Sequence, residues 1–480
     1  MGLDAGDNDP QLLWNGLLAA LVRSGSWPLQ ARLRRLRPPE DPVDPIFLAA
    51  VLTSLEAAEH PVVLVLGNAH VITRPQTLEI LAHLVVWAPP QVRVVISTRM
   101  DPRLGSARLL VEGRLREITS RDLLFTVDDA HALLDGHVLD ATQAERGALI
   151  QAAEGWAVGL RLASMWWHRT RRERSPVQDF AGHDPLVSHY LDTEVLATWS
   201  PDLRNSLIAT SVCDHLDPDL AHALTGRSDA ADLLDHFDRT HGLVVRVGVS
   251  PSSFRCHRLL RERLRADLRK TPDRERALHV VAATWLAKRQ PSTGLRHAVE
   301  AGDDAVIADF IANSGPGLLL HGGPDLSVTL ATWDPPRPID PVIAAVITIA
   351  TLEANDLERA DAMLPELGAG GPGRGLAHGV VPVAVARVHY SLARGGVRQS
   401  AADLNEVMTG HGAGDDTQDL LATDALAAAF LYLGDVPMVE RYAHQSLIAA
   451  RRSGNYRMAL KSLVRLRRRA RAGTPIPGPP

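Results

Sequence analysis

Pro61-Val-Val-Leu-Val-Leu66 and Val92-Arg-Val-Val-Ile-Ser97 decide the fold of the first third of this 480-residue chain. Each is a short apolar run rich in β-branched residues, too short for a buried helix, and reads as a buried parallel strand. A helical pattern over about residues 76–87 separates them, so the two runs and the helix form a βαβ unit. Upstream, Leu12, Leu13, Leu17, Leu18 and Val22 fall at helical spacing behind an Asp-Asn-Asp-Pro start signal. A Pro-rich break at 37–45 and a helix near 46–58 follow. Leu115-Arg-Glu-Ile118 reads as a third, shorter strand.

Beyond this unit the pattern turns helical. Thr126-Val-Asp-Asp129 has the form of an N-cap followed by early acids. The valine run Gly242-Leu-Val-Val-Arg-Val-Gly-Val-Ser250 interrupts the helices as a small hairpin, which outlines a winged helix. After residue 276, turns at Ala301-Gly-Asp-Asp304, Ala354-Asn-Asp356, Arg394-Gly-Gly396 and Leu433-Gly-Asp435 each precede an alanine-rich helix. The last three recur about every 40 residues, the period of a paired-helix solenoid. The Gly-rich stretch 368–375 reads as an inter-repeat loop. Residues 451–471 read as a basic end helix, with Met458, Leu460, Leu463, Val464 and Leu466 packing and a solvated basic face opposite. A Pro/Gly tail should be disordered. The expected class is mainly α, with an N-terminal partial α/β part, a helical and winged-helix region and a C-terminal α-solenoid. The expected limits are 1–125, 126–185, 186–275, 276–471 and a tail at 472–480.

Composition narrows the function classes. The net charge is −5, so no global basic field draws the chain to nucleic acid or anionic lipid. No apolar run reaches membrane-spanning length, and the acidic N-terminus lacks a signal core. Two cysteines, Cys213 and Cys256, suggest a reducing cytoplasm. The histidines are scattered and neither cysteine has a Cys-x-x-Cys neighbour, so no metal site is expected. His70 follows a strand, but no nucleophile elbow accompanies it, and a structural or inherited role is expected. Trp14, Trp156, Trp166 and Trp167 are expected to pack helices.

Several segments, in order, resemble the large ATP-dependent regulators of the MalT/LuxR type within the STAND P-loop ATPases. Gly2–Pro10 with Trp14 and Leu17–Ala20 resembles the segment after the family's phosphate loop. Val62–His70 resembles its Walker B strand, and Ile96-Ser-Thr-Arg-Met-Asp-Pro102 with Gly113–Ile118 and Asp122–Phe125 its sensor strand and sequel. Glu154-Gly-Trp-Ala-Val-Gly-Leu-Arg-Leu-Ala163 resembles the helix that closes over the nucleotide. Asp192–Leu196 and Phe254–Leu260 resemble the winged-helix segment. Together they cover about residues 2–310, and the solenoid agrees with the family's tetratricopeptide-like sensor. The resemblance implies a signalling protein, with a protein or small effector on the concave face of the repeats, and association with a full-length relative.

The departures imply a degenerate ATPase and not an enzyme. A phosphate loop needs glycine backbone N–H groups and a lysine. The three lysines, Lys270, Lys288 and Lys461, follow Arg269, Ala287 and Leu460, so no GxxxxGK motif is present. The resemblance places that loop upstream of residue 2, and its strand inside the sheet. The 62–66 and 92–97 strands are therefore expected to have unpaired edges or an altered order. Where the family carries the acidic pair that holds Mg²⁺ and activates water, this sequence has Gly67 and Asn68. ATP or ADP is not expected as a firm cofactor.

Two positions keep a residual nucleotide role by resemblance. Arg99 matches the sensor arginine that meets a terminal phosphate, and His257 matches the winged-helix histidine that contacts the diphosphate and locks the resting state. The alternatives are that Arg99 pairs with Asp101 or another acid and that His257 is a hydrogen-bonded packing residue. The family's DNA reader is a helix-turn-helix behind the solenoid, and specific DNA binding by residues 1–480 is not expected. The rival reading is a fragment of a full-length ATP-switched activator.

Overall fold

The computed structural model describes all residues except 25–26, 42, 100–103, 105, 137–139, 171–176, 241, 249–252, 322, 332, 369–379, 411–415 and 472–480. The expected loop at 368–375, apart from Gly368, and the tail lie outside the described residues, as does Asp101. The fold is mainly α, with two small sheets. It divides into two compact units. One holds Met1–Leu207, Asp214–His222 and Arg227–Ala266; the other holds Ile208–Cys213, Ala223–Gly226 and the chain from Asp267 onward.

In the first unit, Asp9 starts the helix Pro10–Ser24 by accepting from the N–H groups of Gln11 and Leu12 at 2.9 and 3.1 Å. That helix buries Leu13, Trp14, Leu17 and Leu21 against the helices Pro45–Glu56 and Pro75–Val86 and strand β1, Val62–Leu66. Strand β2, Val92–Ile96, lies parallel to β1 in register from Val62↔Val92 to Leu66↔Ile96. The helix Pro75–Val86 makes the crossover, so the βαβ reading holds.

Of the two alternatives expected for the sheet, unpaired edges or an altered order, the structure shows the second, with β1 paired directly to β2. The other edge of β1 is extended by the chain start: Gly2 bridges Gly67, and the Met1 ammonium donates to Val65 O at 2.7 Å. Contrary to expectation, the strands are not buried on both faces. Val62, Leu64 and Leu66 face the core, whereas Val63, Val65 and Val95 are about half exposed. The helices cover one face only, so an apolar run that reads as a two-sided strand serves one side. Finally, residues 115–118 form no strand, and Ile118 is exposed because no neighbour pairs with that segment.

Thr126 and Thr142 each close a capping box, with Asp129 and Glu145, at the helices Val127–Asp135 and Gln143–Ala153. After the helix Ala157–Thr170, the order helix Pro201–Thr210, β3 His215–Leu216, helices Pro218–Thr225 and Ala230–Thr240, β4 Val244–Val247 and β5 Ser253–Cys256 is a winged helix. β5 is central, antiparallel to both β3 and β4. The valine run therefore supplies one strand of the hairpin, and Ser253–Cys256 supplies the other.

In the second unit, helices Pro341–Glu353, Val380–Arg394 and Asp416–Leu433 stack on one another, each followed by an outer antiparallel partner. Val342–Thr351 are buried without interruption, as a helix enclosed on all sides must be. The turns use left-handed residues where expected: Gly302 (φ 68°), Asn355 (φ 59°) and Gly434 (φ 74°). The basic segment 451–471 is not one helix. Arg451 and Arg452 end the helix Val436–Arg452, and Gly454 (φ 67°) turns the chain into a last helix, Tyr456–Arg471.

Candidate functional site

The strand ends of β1 and β2 lie beside the winged helix within the first unit. Asn68 has a left-handed backbone (φ 62°) that asparagine tolerates, and opens a short 3₁₀ turn over Ala69–Val71. Gly67 donates its N–H to Met1 O at 2.9 Å. His70 has its Nδ1 buried without a partner, and burial, with the Arg99 charge beside it, holds its pKa below the ordinary value.

Arg99, just past β2, donates from Nη1 to the backbone O of Glu194 at 3.0 Å, and its Nη2 lies 3.9 Å from the Glu194 carboxylate. It is thus bound to an acid, as one reading of the sequence has it, though the acid comes from the winged-helix end of the unit. Glu194 sits in a π-helical turn, Leu191–Val195, whose Asp192 accepts from Arg263 Nη2 at 3.0 Å. Tyr190, just before that turn, has its hydroxyl pKa raised by burial and by Glu194.

From Tyr190 the cluster continues through Trp156, 5.9 Å away between ring centroids, to His257, whose ring meets Trp156 edge-on at 5.4 Å. His257 is buried. Its Nδ1 accepts from Leu259 N–H at 3.2 Å, which leaves Nε2–H to donate to Ala153 O at 3.1 Å. Burial lowers its pKa, against the opposing pull of Glu154. Glu154 (φ 47°) holds Arg255 Nη1 at 2.5 Å. Gly155 (φ 76°) brings the backbone against Phe125, where a Cβ would lie 2.8 Å from Phe125 O. The Glu-Gly-Trp segment is therefore a helix-to-helix turn that offers one aromatic face to the winged-helix histidine.

The structure brings Arg99 and His257 into one cluster linked by Glu194, Tyr190 and Trp156, and engages both ring nitrogens of His257 with backbone. Sequence reading missed Glu194 and Tyr190. Their signal, an acid and an aromatic flanking Asp192, is too common to single out. Positions 67 and 68 at this strand end supply no carboxylate for a magnesium ion. Gly67 has no side chain, the Asn68 side chain is neutral and caps nothing, and none of the three lysines belongs to a phosphate loop.

Comparison with known proteins finds relatives for part of this chain. Residues 192–276 match the family described as the MalT winged helix domain. The HTH-type transcriptional regulator MalT of Cronobacter sakazakii is 28% identical over 333 residues, 66% of this chain and 36% of that protein. That of Klebsiella pneumoniae is 27% identical over 330 residues, with the same shares. A STAND protein with a tetratricopeptide repeat sensor from Pyrococcus horikoshii overlays 98% of this chain and 74% of its own at 14% identity, with a TM-score of 0.37. Over about two thirds of its length the chain is similar to these transcriptional regulators. It spans about a third of the length of the curated relatives it matches. Among the described residues, no helix is long and apolar enough to cross a membrane.

Proposed function

We propose that this chain is a regulator-derived signalling protein that acts by binding, with a protein partner or small effector held by its helical repeats, and without ATP hydrolysis. The last helix carries the reading. Met458 and Ser462 are buried against the preceding helix, but Tyr456, Leu460, Leu463 and Val464 are exposed at i, i+4, i+7 and i+8. This departs from the end-helix expectation, in which those leucines pack and the free face is basic. An apolar stripe at that spacing suits the helix of a protein partner.

On this reading residues 1–125 are a degenerate STAND core, 126–185 a helical domain, 186–275 the winged helix and 276–471 tetratricopeptide-like repeats. The Arg99–Glu194 contact latches the core, and the Trp156–His257 contact the helical domain, to the winged helix within the first unit. Arg99 and His257 remain the points where a residual nucleotide would be met. A phosphate would have to draw Arg99 from Glu194, and His257 would have to release Ala153 O. The test is size-exclusion chromatography with light scattering, paired with pull-down of a full-length MalT-type relative. Self-association or capture, lost in Leu460→Glu/Leu463→Glu, is expected; a strict monomer that captures nothing overturns the reading.

A second reading rests on the share of the relatives that the chain spans, 36%. On it, residues 1–480 are part of a full-length ATP-dependent activator. In-frame coding sequence with GxxxxGK upstream, or a helix-turn-helix downstream, would decide for it.

A further inference from the structure

The helices Pro272–Leu286 and Pro291–Ala301 form a tight antiparallel hairpin at the start of the second unit. Gly294 allows the close approach: a Cβ there would lie 3.2 Å from Ala283 O and 2.7 Å from the Phe310 ring. Between the helices sit two buried histidines, His279 and His297, exposed by 1% and 5%. Their Nδ1 atoms are 2.9 Å apart. Glu300 lies on the same face as His297, three residues on, and its carboxylate is 3.4 Å from His279 Nε2. One ligand atom from each of the three falls within 4.8 Å of the others.

Two imidazole nitrogens at 2.9 Å must share a proton, since two lone pairs would repel. In tetrahedral zinc, ligand atoms with bonds of about 2.0–2.1 Å stand about 3.3 Å apart, and His279 Nε2 and the Glu300 carboxylate already lie 3.4 Å apart. His297 joins them as the third ligand by giving up its proton-sharing contact with His279 Nδ1. A histidine and a glutamate at i, i+3 on one helix, facing a donor on a neighbouring helix, share the spacing of metal ligands in helical bundles, in the reverse order along the chain. Imidazole and carboxylate donors favour a first-row ion such as Zn²⁺ over Mg²⁺ or Ca²⁺. Glu300, about one-third exposed, gives the ion a way in. On the far side, the buried Cys213 thiol lies 3.8 Å from His297 Nε2, where it can orient that ring.

We propose that His279, His297 and Glu300 form a Zn²⁺ site, with water in the fourth position and Cys213 as an outer partner of His297. The sequence reading expected no metal site because its ligands come from two helices and only His297-x-x-Glu300 is local. Zinc binding here pins the hairpin that opens the repeats.

The test is titration of the chelator-stripped full chain with Zn²⁺, and separately with Co²⁺ as a visible reporter. One ion per chain is expected, with Co²⁺ bands of a four- or five-coordinate nitrogen/oxygen site and no thiolate charge-transfer band. Glu300→Gln, at a partly exposed position that leaves the fold intact, should weaken binding about tenfold or more. His297→Gln should abolish binding while far-UV circular dichroism shows a helical chain. Failure of the stripped wild-type chain to take up one equivalent overturns the proposal. So does uptake unchanged in Glu300→Gln, which is decisive even should the buried-histidine variant not fold.

Discussion

Gly182 shows how closely the first unit is fitted at the level of a residue. Its N–H donates to Glu262 Oε2 at 2.8 Å, and a Cβ at this position would fall 1.8 Å from the backbone O of Leu259. No rotamer relieves a clash with backbone, so the loop or the helix Arg258–Leu268 would have to move. Gly182→Ala should lower the stability of the first unit by about 3 kcal/mol, read by chemical denaturation. An unchanged midpoint would show that the loop does not sit on that helix. In the repeats, His389 is fitted as closely. Partly buried near Asp424, Lys461 and Arg465, it has its pKa pushed down from 6.5 to about 4, chiefly by desolvation. Unfolded chain therefore binds a proton at this residue that the folded chain refuses between those values. Stability is full above pH 6.5 and falls as pH drops toward 4, by up to about 3 kcal/mol from this one group. Thermal unfolding across that range should show the loss, and His389→Gln should flatten it.

At the level of elements, the two-stranded sheet is covered on one face only. Val63, Val65 and Val95 form a half-exposed apolar face with no helix over it among the described residues. Such a face promotes association. Val65→Lys should cost little stability, because the side chain is already half in water, and should reduce self-association in light scattering; equal association would place the contact elsewhere. How legible these elements were depended on the physics of each. The helix starts at Thr126 and Asp9 were readable because capping is local. The βαβ unit was readable because its periodicity and spacing are local too. Whether one or both faces of β1 and β2 are covered depends on distant helices, and no apolar run encodes that. The 451–471 segment misread for a related reason: composition dominated it, while Gly454, one residue, set the break.

For the whole molecule, the order of weak motifs pointed to a MalT-like regulator, and the matched relatives bear that out. Arg99 and His257 were each legible by position. Their partners were not, because Glu194 and Trp156 meet them only through folding, and the His279–His297 pair depends on two helices meeting. On the function proposed above, the chain signals by binding and not by turning over ATP. The most direct measurement is phosphate release by the purified chain with MgATP, beside an Arg99→Ala control. Release at the buffer background is expected for both proteins. Steady turnover by the wild-type chain that falls in Arg99→Ala would contradict it.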